Sequence, residues 1–299
     1  MYKMTACENI EIPPSWEKLR LDDFHGLCMV IGAADSGKST FARYLYYRLR
    51  AYHKRVAFID GDVGQASLGP PTTMTLVVNR DEEDFPSPGG ICYRVFVGST
   101  SPRGHMLQTI VGLHKLARQA YKLQATATVV DPTGFIAPDQ GGGILKLSKV
   151  EILEPKIVFA IRRDRELDHI ITPLRRSGRT RLIELSPAPA VKPRDFATRR
   201  AHRTASFKRY FAGSEIIEIN WAKFAVIPVP YFYPGRLISL DNVKGFSLGL
   251  GIVADVNPSE KVVSVITPVR SIDKLDTIRL GNIYLDPSTY EERPRGDAV

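Results

Sequence analysis

Cysteine is scarce in this chain, and the few cysteines present show no metal-binding spacing. The three cysteines are widely separated in the sequence, at Cys7, Cys28 and Cys92, and form no C-x-x-C pair. A disulfide framework needs several matched cysteines and a zinc site needs regularly spaced ligands, so neither is predicted. We expect the three thiols to be structural.

Long apolar runs are also missing. No run approaches the roughly 20 apolar residues that span a bilayer, and the N-terminus, with Glu8 and Glu11 flanking a short mixed segment, has no signal-peptide pattern. We therefore expect no membrane partner and a cytoplasmic location. The chain of 299 residues is long enough for one large or two ordinary domains, each with its own core.

A glycine-rich loop follows the apolar run 27–31 and precedes a helix-like segment. Its G-x-x-x-x-G-K-[ST] pattern predicts a phosphate-binding loop, in which glycines let the backbone curl and point its N–H groups at phosphate oxygens. We expect Lys38 to reach the β- and γ-phosphates, Ser39 to hold Mg²⁺ and Thr40 to bond the α-phosphate. The predicted nucleotide-binding residues are Gly32, Ala33, Ala34, Asp35, Ser36, Gly37, Lys38, Ser39 and Thr40.

Apolar and amphipathic segments alternate through the first part of the chain. The strand-like runs are 27–31, 56–59, 93–97, 128–130 and 156–161, and the helix-like segments are 38–53, 105–121 and 143–153. The alternation predicts an α/β fold of the P-loop NTPase type, a mostly parallel sheet flanked by helices, with the loop at the carboxyl end of the first strand.

The pattern changes after residue 213. From about 215 to 287, short apolar runs separated by turn residues predict a small β-rich C-terminal domain. The expected divisions are a short N-terminal extension at 1–25, a P-loop domain at 26–213 and the β-rich domain at 214–299.

Two carboxylates and an amide follow the second predicted strand, in the run Asp60-Gly-Asp-Val-Gly-Gln65. Beside a phosphate-binding loop, such groups are placed to hold Mg²⁺ or to orient and deprotonate a nucleophile. The predicted metal ligands are Ser39, Asp60 and Asp62. A turn without function is the alternative, because Asp-Gly turns are common.

A third carboxylate follows a later strand, in Asp131-Pro-Thr-Gly134. Many nucleotide hydrolases keep a magnesium-organising aspartate at such a position, and D-x-x-G also suggests a GTPase. The sequence has no guanine-specific Asn-Lys-x-Asp segment, so the GTPase interpretation is weak. No role is assigned to Asp131 from the sequence.

Positive charge is concentrated in one region. The formal net charge is +9, and fourteen Lys or Arg residues between Arg162 and Arg209 stand against five carboxylates. An ordinary charge run is a solvated surface, and a basic surface alone is a weak sign of nucleic acid. In a triphosphate-binding protein, concentrated arginine indicates phosphate binding, because the guanidinium fork matches phosphate oxygens.

Four motifs in this order resemble those of the polynucleotide 5'-hydroxyl kinases. They are Asp35-Ser-Gly-Lys-Ser-Thr40, Asp60-Gly-Asp-Val-Gly-Gln65, Gly98-Ser-Thr-Ser-Pro-Arg-Gly-His105 and Asp131-Pro-Thr-Gly-Phe-Ile136. That family includes the kinase subunit of the pre-mRNA cleavage factor, the nucleolar kinase of pre-rRNA processing and archaeal relatives. The resemblance spans roughly residues 26–213, and the β-rich tail looks like that of the prokaryotic members.

The resemblance implies roles for the matching positions. Lys38 and its neighbours would bind ATP or GTP with Mg²⁺, and Asp62 would activate the incoming 5'-hydroxyl group. Residues 100–102 correspond to the family's clasp, which holds the terminal nucleotide of the acceptor. Phe135 stands where eukaryotic members often carry Trp and would stack on the terminal base, with a core position as the alternative. The implied acceptor-binding residues are Gln65, Thr100, Ser101, Pro102 and Phe135.

The family's mobile arginine lid matches about residues 192–209. The resemblance implies that Arg194, Arg199 and Arg203 act with Lys38 and Asp62 as catalytic residues, neutralising charge on the transferred phosphoryl group. Arg199 and Arg203 share a helix face. Arg194 joins them only if the helix starts later or the lid wraps around the phosphate. Structural ion pairing is the alternative for each arginine.

The preferred hypothesis is a kinase that transfers the γ-phosphate of ATP or GTP to the 5'-hydroxyl end of RNA or DNA. Nothing resembles a base-reading module, so we expect binding without base-sequence specificity and with marked salt dependence. A nucleotide-binding scaffold in an RNA-processing assembly and a regulatory NTPase are the alternatives.

Overall fold

The computed structural model describes residues 12–79, 91–189, 191 and 194–294, so Cys7 and Lys192 lie outside the described residues. The chain divides into two compact units, which alternate along the sequence. The first comprises Met1–Asp62, Thr75–Cys92 and Pro102–Arg194, and the second Val63–Met74, Tyr93–Ser101 and Asp195–Val299.

One sheet has seven strands, in the order β4-β3-β2-β5-β1-β6-β7. Strands β2, β5, β1, β6 and β7 run parallel, while β3 pairs antiparallel with β2. The predicted α/β fold with a mostly parallel sheet is confirmed. The strands are β1 (Gly26–Gly32), β2 (Val56–Gly61), β3 (Thr73–Val78), β4 (Ile91–Phe96), β5 (Ala127–Pro132), β6 (Ile157–Ile161) and β7 (Arg181–Leu185).

The central strands are buried because helices cover them. All of β5 and β6 is buried, and near-continuous apolar runs are typical of parallel strands covered on both faces. Phe41 of the second helix packs on Phe159 of β6, with ring centroids 5.1 Å apart. The helices are α1 (Pro14–Glu17), α2 (Lys38–Arg50), α3 (Met106–Lys122), α4 (Gly142–Leu153), α5 (Asp168–Ser177) and α6 (Phe196–Tyr210).

Two expectations from the sequence concern the cysteines, expected to be structural, and membrane-spanning segments, of which none is expected. Cys28, in β1, is a free thiol and is fully buried, while Cys92, in β4, is half-buried. No helix in the described part of the chain is long and apolar enough to cross a membrane.

The C-terminal part of the chain is β-rich, as predicted. Its strands form a second sheet, which is mostly antiparallel. Its order is β14-β13-β10-β11-β12-β8, and β9 pairs in parallel with β13. Its strands are β8 (Glu215–Asn220), β9 (Ala225–Ile227), β10 (Arg236–Asn242), β11 (Ser247–Asn257), β12 (Val262–Thr267), β13 (Leu275–Leu285) and β14 (Glu292–Arg293).

Helix α6 carries two of the predicted lid arginines, Arg199 and Arg203, and is fixed at both ends. Phe207 and Phe211 are buried in the core of the second unit, and the Tyr210 hydroxyl accepts a hydrogen bond from the Leu250 N–H at 2.8 Å. At the other end the Asp195 carboxylate caps the helix by accepting from the Thr198 N–H at 2.7 Å. The helix therefore starts at Phe196, and Arg194 precedes it.

Candidate active site

The phosphate-binding loop joins the end of β1 to the start of α2. Gly37 caps the helix with a φ of +82°, and Asp35 also has a positive φ of +52°. A β-carbon on Gly32 would collide with the Ser36 hydroxyl and lie 3.0 Å from the Ile161 carbonyl oxygen. The curled backbone thus depends on glycine at two positions, and the loop ends at a helix N-terminus, which favours anions.

Three carboxylates surround the ammonium group of Lys38. Lys38 is only 6% exposed, and its Nζ lies 3.6 Å from Asp62 Oδ2. Burial opposes the positive charge, but Asp131, Asp62 and Asp60 together raise the pKa of Lys38 above its ordinary value. The parallel register sets Asp60 beside Asp131 at the carboxyl edge of the sheet. Asp62 is held near them because its N–H donates to Asp60 Oδ1 at 3.1 Å.

Asp131 is the carboxylate that sequence reasoning left without a role. It is almost fully buried, its carboxyl group is hydrogen-bonded by the Ser39 hydroxyl, and its Oδ1 has no partner among the described residues. Burial, with Asp60 as a further cause, raises its pKa to about 6 despite the opposing effects of Lys38 and Ser39. Asp131 thus lies beside Ser39 of the phosphate-binding loop.

The raised pKa predicts how Asp131 affects stability. Because the folded protein holds this proton more tightly than the unfolded chain, the ionised group destabilises the fold above about pH 6 and has no effect below its ordinary pKa of 3.8. We expect Asp131→Asn to stabilise the nucleotide-free protein at pH 8 by up to about 3 kcal/mol. Thermal unfolding in EDTA checks this, and an equal gain in melting temperature at pH 4 and pH 8 would contradict it.

The oxygen atoms around Lys38 suit Mg²⁺. Among the described residues no three His, Cys, Asp or Glu side chains come together to hold a metal ion by themselves. Magnesium in nucleotide sites needs fewer protein ligands, because phosphates and waters supply the rest. The Ser39 hydroxyl, the Asp60 and Asp62 carboxylates and the orphaned Asp131 Oδ1 fit that pattern.

Arg194 contacts the phosphate-binding loop directly. Its Nε lies 3.3 Å from Asp35 Oδ1, and its N–H donates to Asp35 Oδ2 at 3.0 Å. Arg163, which the sequence did not single out for a role, donates to the Asp35 carbonyl at 2.8 Å. Val191 packs on Gly37, where a β-carbon would lie 2.8 Å from Val191 Cγ2. Val191 and Arg194 therefore lie against the loop in the first unit.

Gln65 and Arg199 meet within the second unit. The Gln65 Nε2 donates to the Arg199 carbonyl at 3.3 Å and to the Gly64 carbonyl at 2.9 Å. The other predicted lid residue in this unit, Arg203, forms a partly buried ion pair with Glu292. A catalytic role for Arg203 would require that pair to open.

The predicted clasp lies on a braced turn. The Ser101 N–H donates to Ser99 Oγ at 3.2 Å, and the Gly98 carbonyl accepts from the Asn282 N–H at 2.8 Å. A β-carbon on Gly98, whose φ is +81°, would lie 3.0 Å from Gly281 Cα. Thr100 is half-buried and Ser101 is exposed, so their hydroxyl groups lie on a backbone that close packing supports.

Thr72 connects this turn to the segment that carries Gln65. It adopts a φ of +75°, which is strained for a β-branched residue. Its N–H donates to the Val63 carbonyl at 2.8 Å, and its carbonyl accepts from the N–H groups of Val97 and Gly98. Sequence reasoning missed Thr72, because threonine is not a residue expected at positive φ.

The predicted site residues fall into one group in each unit. The half-buried Phe135 follows β5, and Pro102 is buried, both in the first unit. The first group comprises residues 32–40, Asp60, Asp62, Pro102, Phe135 and Arg194. The second comprises Gln65, Thr100, Ser101, Arg199 and Arg203.

Comparisons with known proteins agree with this architecture. Residues 32–213 match the family model described as the mRNA cleavage and polyadenylation factor CLP1 P-loop. The chain is 26% identical to the polyribonucleotide 5'-hydroxyl-kinase of Pyrococcus abyssi, over 85% of this chain and 86% of that one. The corresponding protein of Pyrococcus horikoshii is 28% identical, over 85% of this chain and 84% of its own.

A solved structure has the same fold. The wild-type Clp1p of a Clp1p–Pcf11p complex superposes with a TM-score of 0.67 at 16% identity, covering 90% of this chain and 77% of that chain. At such low identity the likeness concerns the fold alone.

Proposed function

This chain belongs to the CLP1 P-loop family, and on that premise we propose that it is a polynucleotide 5'-hydroxyl kinase. It would transfer the γ-phosphate of ATP or GTP to the 5'-hydroxyl end of RNA or DNA. The observation that carries the proposal is the pair formed by Lys38 Nζ and Asp62 Oδ2, 3.6 Å apart at the end of the phosphate-binding loop. A carboxylate there can accept a proton from a hydroxyl nucleophile beside the phosphate that the lysine binds.

The donor half of the reaction uses the residues gathered in the first unit. The loop backbone and the N-terminus of α2 would bind the phosphate oxygens, and Lys38 would neutralise negative charge on the transferred phosphoryl group. Ser39, with Asp60 and Asp62, would hold Mg²⁺. Bound Mg²⁺ supplies positive charge that orients the donor phosphates and offsets their developing charge.

Asp62 and the arginines act on the nucleophile and the transition state. Asp62 would accept the proton of the 5'-hydroxyl group as its oxygen bonds to the γ-phosphorus, while the bond from that phosphorus to the β,γ-bridging oxygen breaks and the nucleoside diphosphate leaves. Arg194 and Arg199 would bind the oxygens of the transferred phosphoryl group. Arg194 is available close by, since it already binds Asp35 of the loop.

The acceptor half relies on contacts to sugar and phosphate. Hydroxyl and backbone groups at 100–102 can grip a terminal nucleotide without reading its base, and Phe135 offers a face on which any base can stack. Gln65, which follows Asp62 closely in the chain, would help to bind the acceptor. We therefore propose end recognition without base-sequence specificity.

Arg199→Ala tests the transition-state role of the lid. We expect kcat to fall roughly 100-fold with the acceptor KM changed less than threefold. The variant keeps the Arg199 carbonyl and hence the hydrogen bond from Gln65, so only the guanidinium is lost. Steady-state end-labelling measures both constants, with the exposed Lys244→Ala as a control. An effect on KM alone would mean that Arg199 binds the sugar-phosphate backbone of the acceptor and does not act at the transition state.

End-labelling with a panel of substrates tests the function itself. Each of the four γ-labelled triphosphates is incubated with 5'-hydroxyl RNA and DNA oligonucleotides, and a Lys38→Met protein serves as the matched control. We expect labelled 5' ends with the wild type alone. Absence of labelling with every donor and acceptor, together with tight nucleotide binding, would favour a scaffold instead.

A further inference from the structure

Two lysines of α4 are fully buried. Lys146 and Lys149 are both 0% exposed and lie three residues apart, on one face of the helix. Lys149 Nζ has no hydrogen-bond partner among the described residues, whereas Lys146 Nζ donates to the Thr133 carbonyl. Burying an amine costs free energy, and methionine would fill the same space without that cost. The hydrogen bond to the Thr133 carbonyl is therefore the contribution of Lys146 that an apolar side chain cannot make.

The bond to Thr133 acts on the next residue. The Thr133 carbonyl belongs to the peptide that joins Thr133 to Gly134, and a peptide is planar. Holding that oxygen therefore fixes the Cα of Gly134. This Cα lies against the phosphate-binding loop, since a β-carbon on it would lie 2.6 Å from the backbone N of Ala34.

The start of α4 brings the lysine into reach. A β-carbon on Gly142 would lie only 2.5 Å from the carbonyl carbon of Ile136 and 2.6 Å from the backbone N of Ala137. The helix thus begins in backbone contact with the segment that follows Gly134. One turn further along, Lys146 reaches back toward the N-terminus of its helix, as long helical side chains do.

Charges of both signs act on the amine of Lys146. Burial, then Lys149 and Lys38, lower its pKa well below the ordinary value, while Asp62 and Asp131 act in the opposite direction. Protonated or neutral, the amine has N–H groups to donate. The bond to Thr133 is therefore available in either form.

We propose that Lys146 is a positioning residue of the donor site: through the Thr133–Gly134 peptide, its Nζ holds the turn after β5 against Ala34 of the phosphate-binding loop. The inference rests on the proposed function in taking residues 32–40 as the donor site. It adds a second support to the loop, besides Val191 and Arg194, from a helix that contributes no residue to the predicted site.

The affinity for nucleotide tests this role without requiring phosphoryl transfer. We expect Lys146→Met to raise the Kd for a fluorescent ATP analogue about tenfold and the KM for the donor in parallel, with the acceptor KM unchanged. The melting temperature should not fall, because an apolar side chain suits the site. Lys149→Met is the matched control: it removes an equally buried amine that makes no hydrogen bond to Thr133, and its nucleotide Kd should stay within twofold of the wild type.

The outcomes separate the alternatives. A folded Lys146→Met protein whose Kd lies within twofold of the wild type would overturn the proposal, and so would an equal rise in both variants. If Lys146→Met does not fold, Gly134→Ala disturbs the same contact from the loop side and should raise the Kd about tenfold; an unchanged Kd there would also overturn it. Loss of nucleotide affinity in a protein that labels no acceptor would reject the kinase function and leave this inference standing.

Discussion

We expect Asp62→Asn to lower kcat for 5' phosphorylation by about 1,000-fold or more and to leave the Kd for ATP within about threefold of the wild type. Asparagine keeps the shape of the side chain and the backbone N–H that donates to Asp60, but it cannot accept the proton of the 5'-hydroxyl group. General-base groups contribute roughly 100-fold to 10,000-fold, and Asp62 is the carboxylate to which the proposal gives that role.

Single-turnover end-labelling gives the rate for Asp62→Asn, and equilibrium titration with a fluorescent ATP analogue gives the affinity. Asp139→Asn is the control, because Asp139 is an exposed carboxylate of the same unit. A rate within tenfold of the wild type would remove Asp62 from the chemistry. If the Kd rises by the same factor as the rate falls, Asp62 binds the nucleotide and takes no part in the proton transfer.

We expect Lys38→Met to lower kcat/KM for the donor about 1,000-fold or more. The ammonium is the positive charge set among Asp60, Asp62 and Asp131, and a preorganised charge of this kind is worth more in a water-poor site than at the surface. Without it the three carboxylates also repel the triphosphate. We therefore expect the loss to appear in both binding and rate.

The same variant has a second expected effect, on stability. Removing Lys38 takes away a charge that lowers the pKa of Asp131, so the carboxyl group should ionise at still higher pH. Thermal unfolding at pH 8 should show a lower melting temperature than Lys122→Met, which changes an exposed lysine of α3. Donor kcat/KM within tenfold of the wild type would contradict the role assigned to Lys38.

The fold was predictable where the signal is local. The apolar run before the phosphate-binding loop, the glycines and the following helix lie within one stretch of sequence, and the structure has β1, the loop and α2 there. Two strands escaped prediction. β3 contains two threonines among its apolar residues and pairs antiparallel, while Arg181 and Glu184 give β7 the look of the charged segment around it.

Part of the arginine-rich segment has a structural explanation. Arg162 binds both Asp168 and Glu184, and Arg175 also binds Glu184. Arg162 follows β6, Asp168 and Arg175 belong to α5, and Glu184 belongs to β7. That part of the charge excess is therefore balanced within the fold. Charge counting could not separate these arginines from Arg194, because the partners are decided by how the strands and helices pack.

The buried charges of the site were equally hidden in the sequence. A helix with two lysines ordinarily presents them to solvent, and only the packing of α4 shows that Lys146 and Lys149 are buried. The ion pair of Arg203 with Glu292 joins residues far apart in the chain, and no local pattern predicts such a pair. The residue types of a site can thus be read from sequence motifs, whereas its supporting contacts depend on the tertiary structure.

The fate of the γ-phosphate tests the central claim most directly. In a single-turnover experiment with γ-labelled ATP and excess protein, a 5'-hydroxyl oligonucleotide is compared with the same oligonucleotide carrying a 5'-phosphate. We predict that the label moves to the 5' end of the first oligonucleotide. With the second oligonucleotide the label should stay in ATP. Label released as inorganic phosphate at the same rate with both oligonucleotides would contradict it and identify a nucleotide hydrolase.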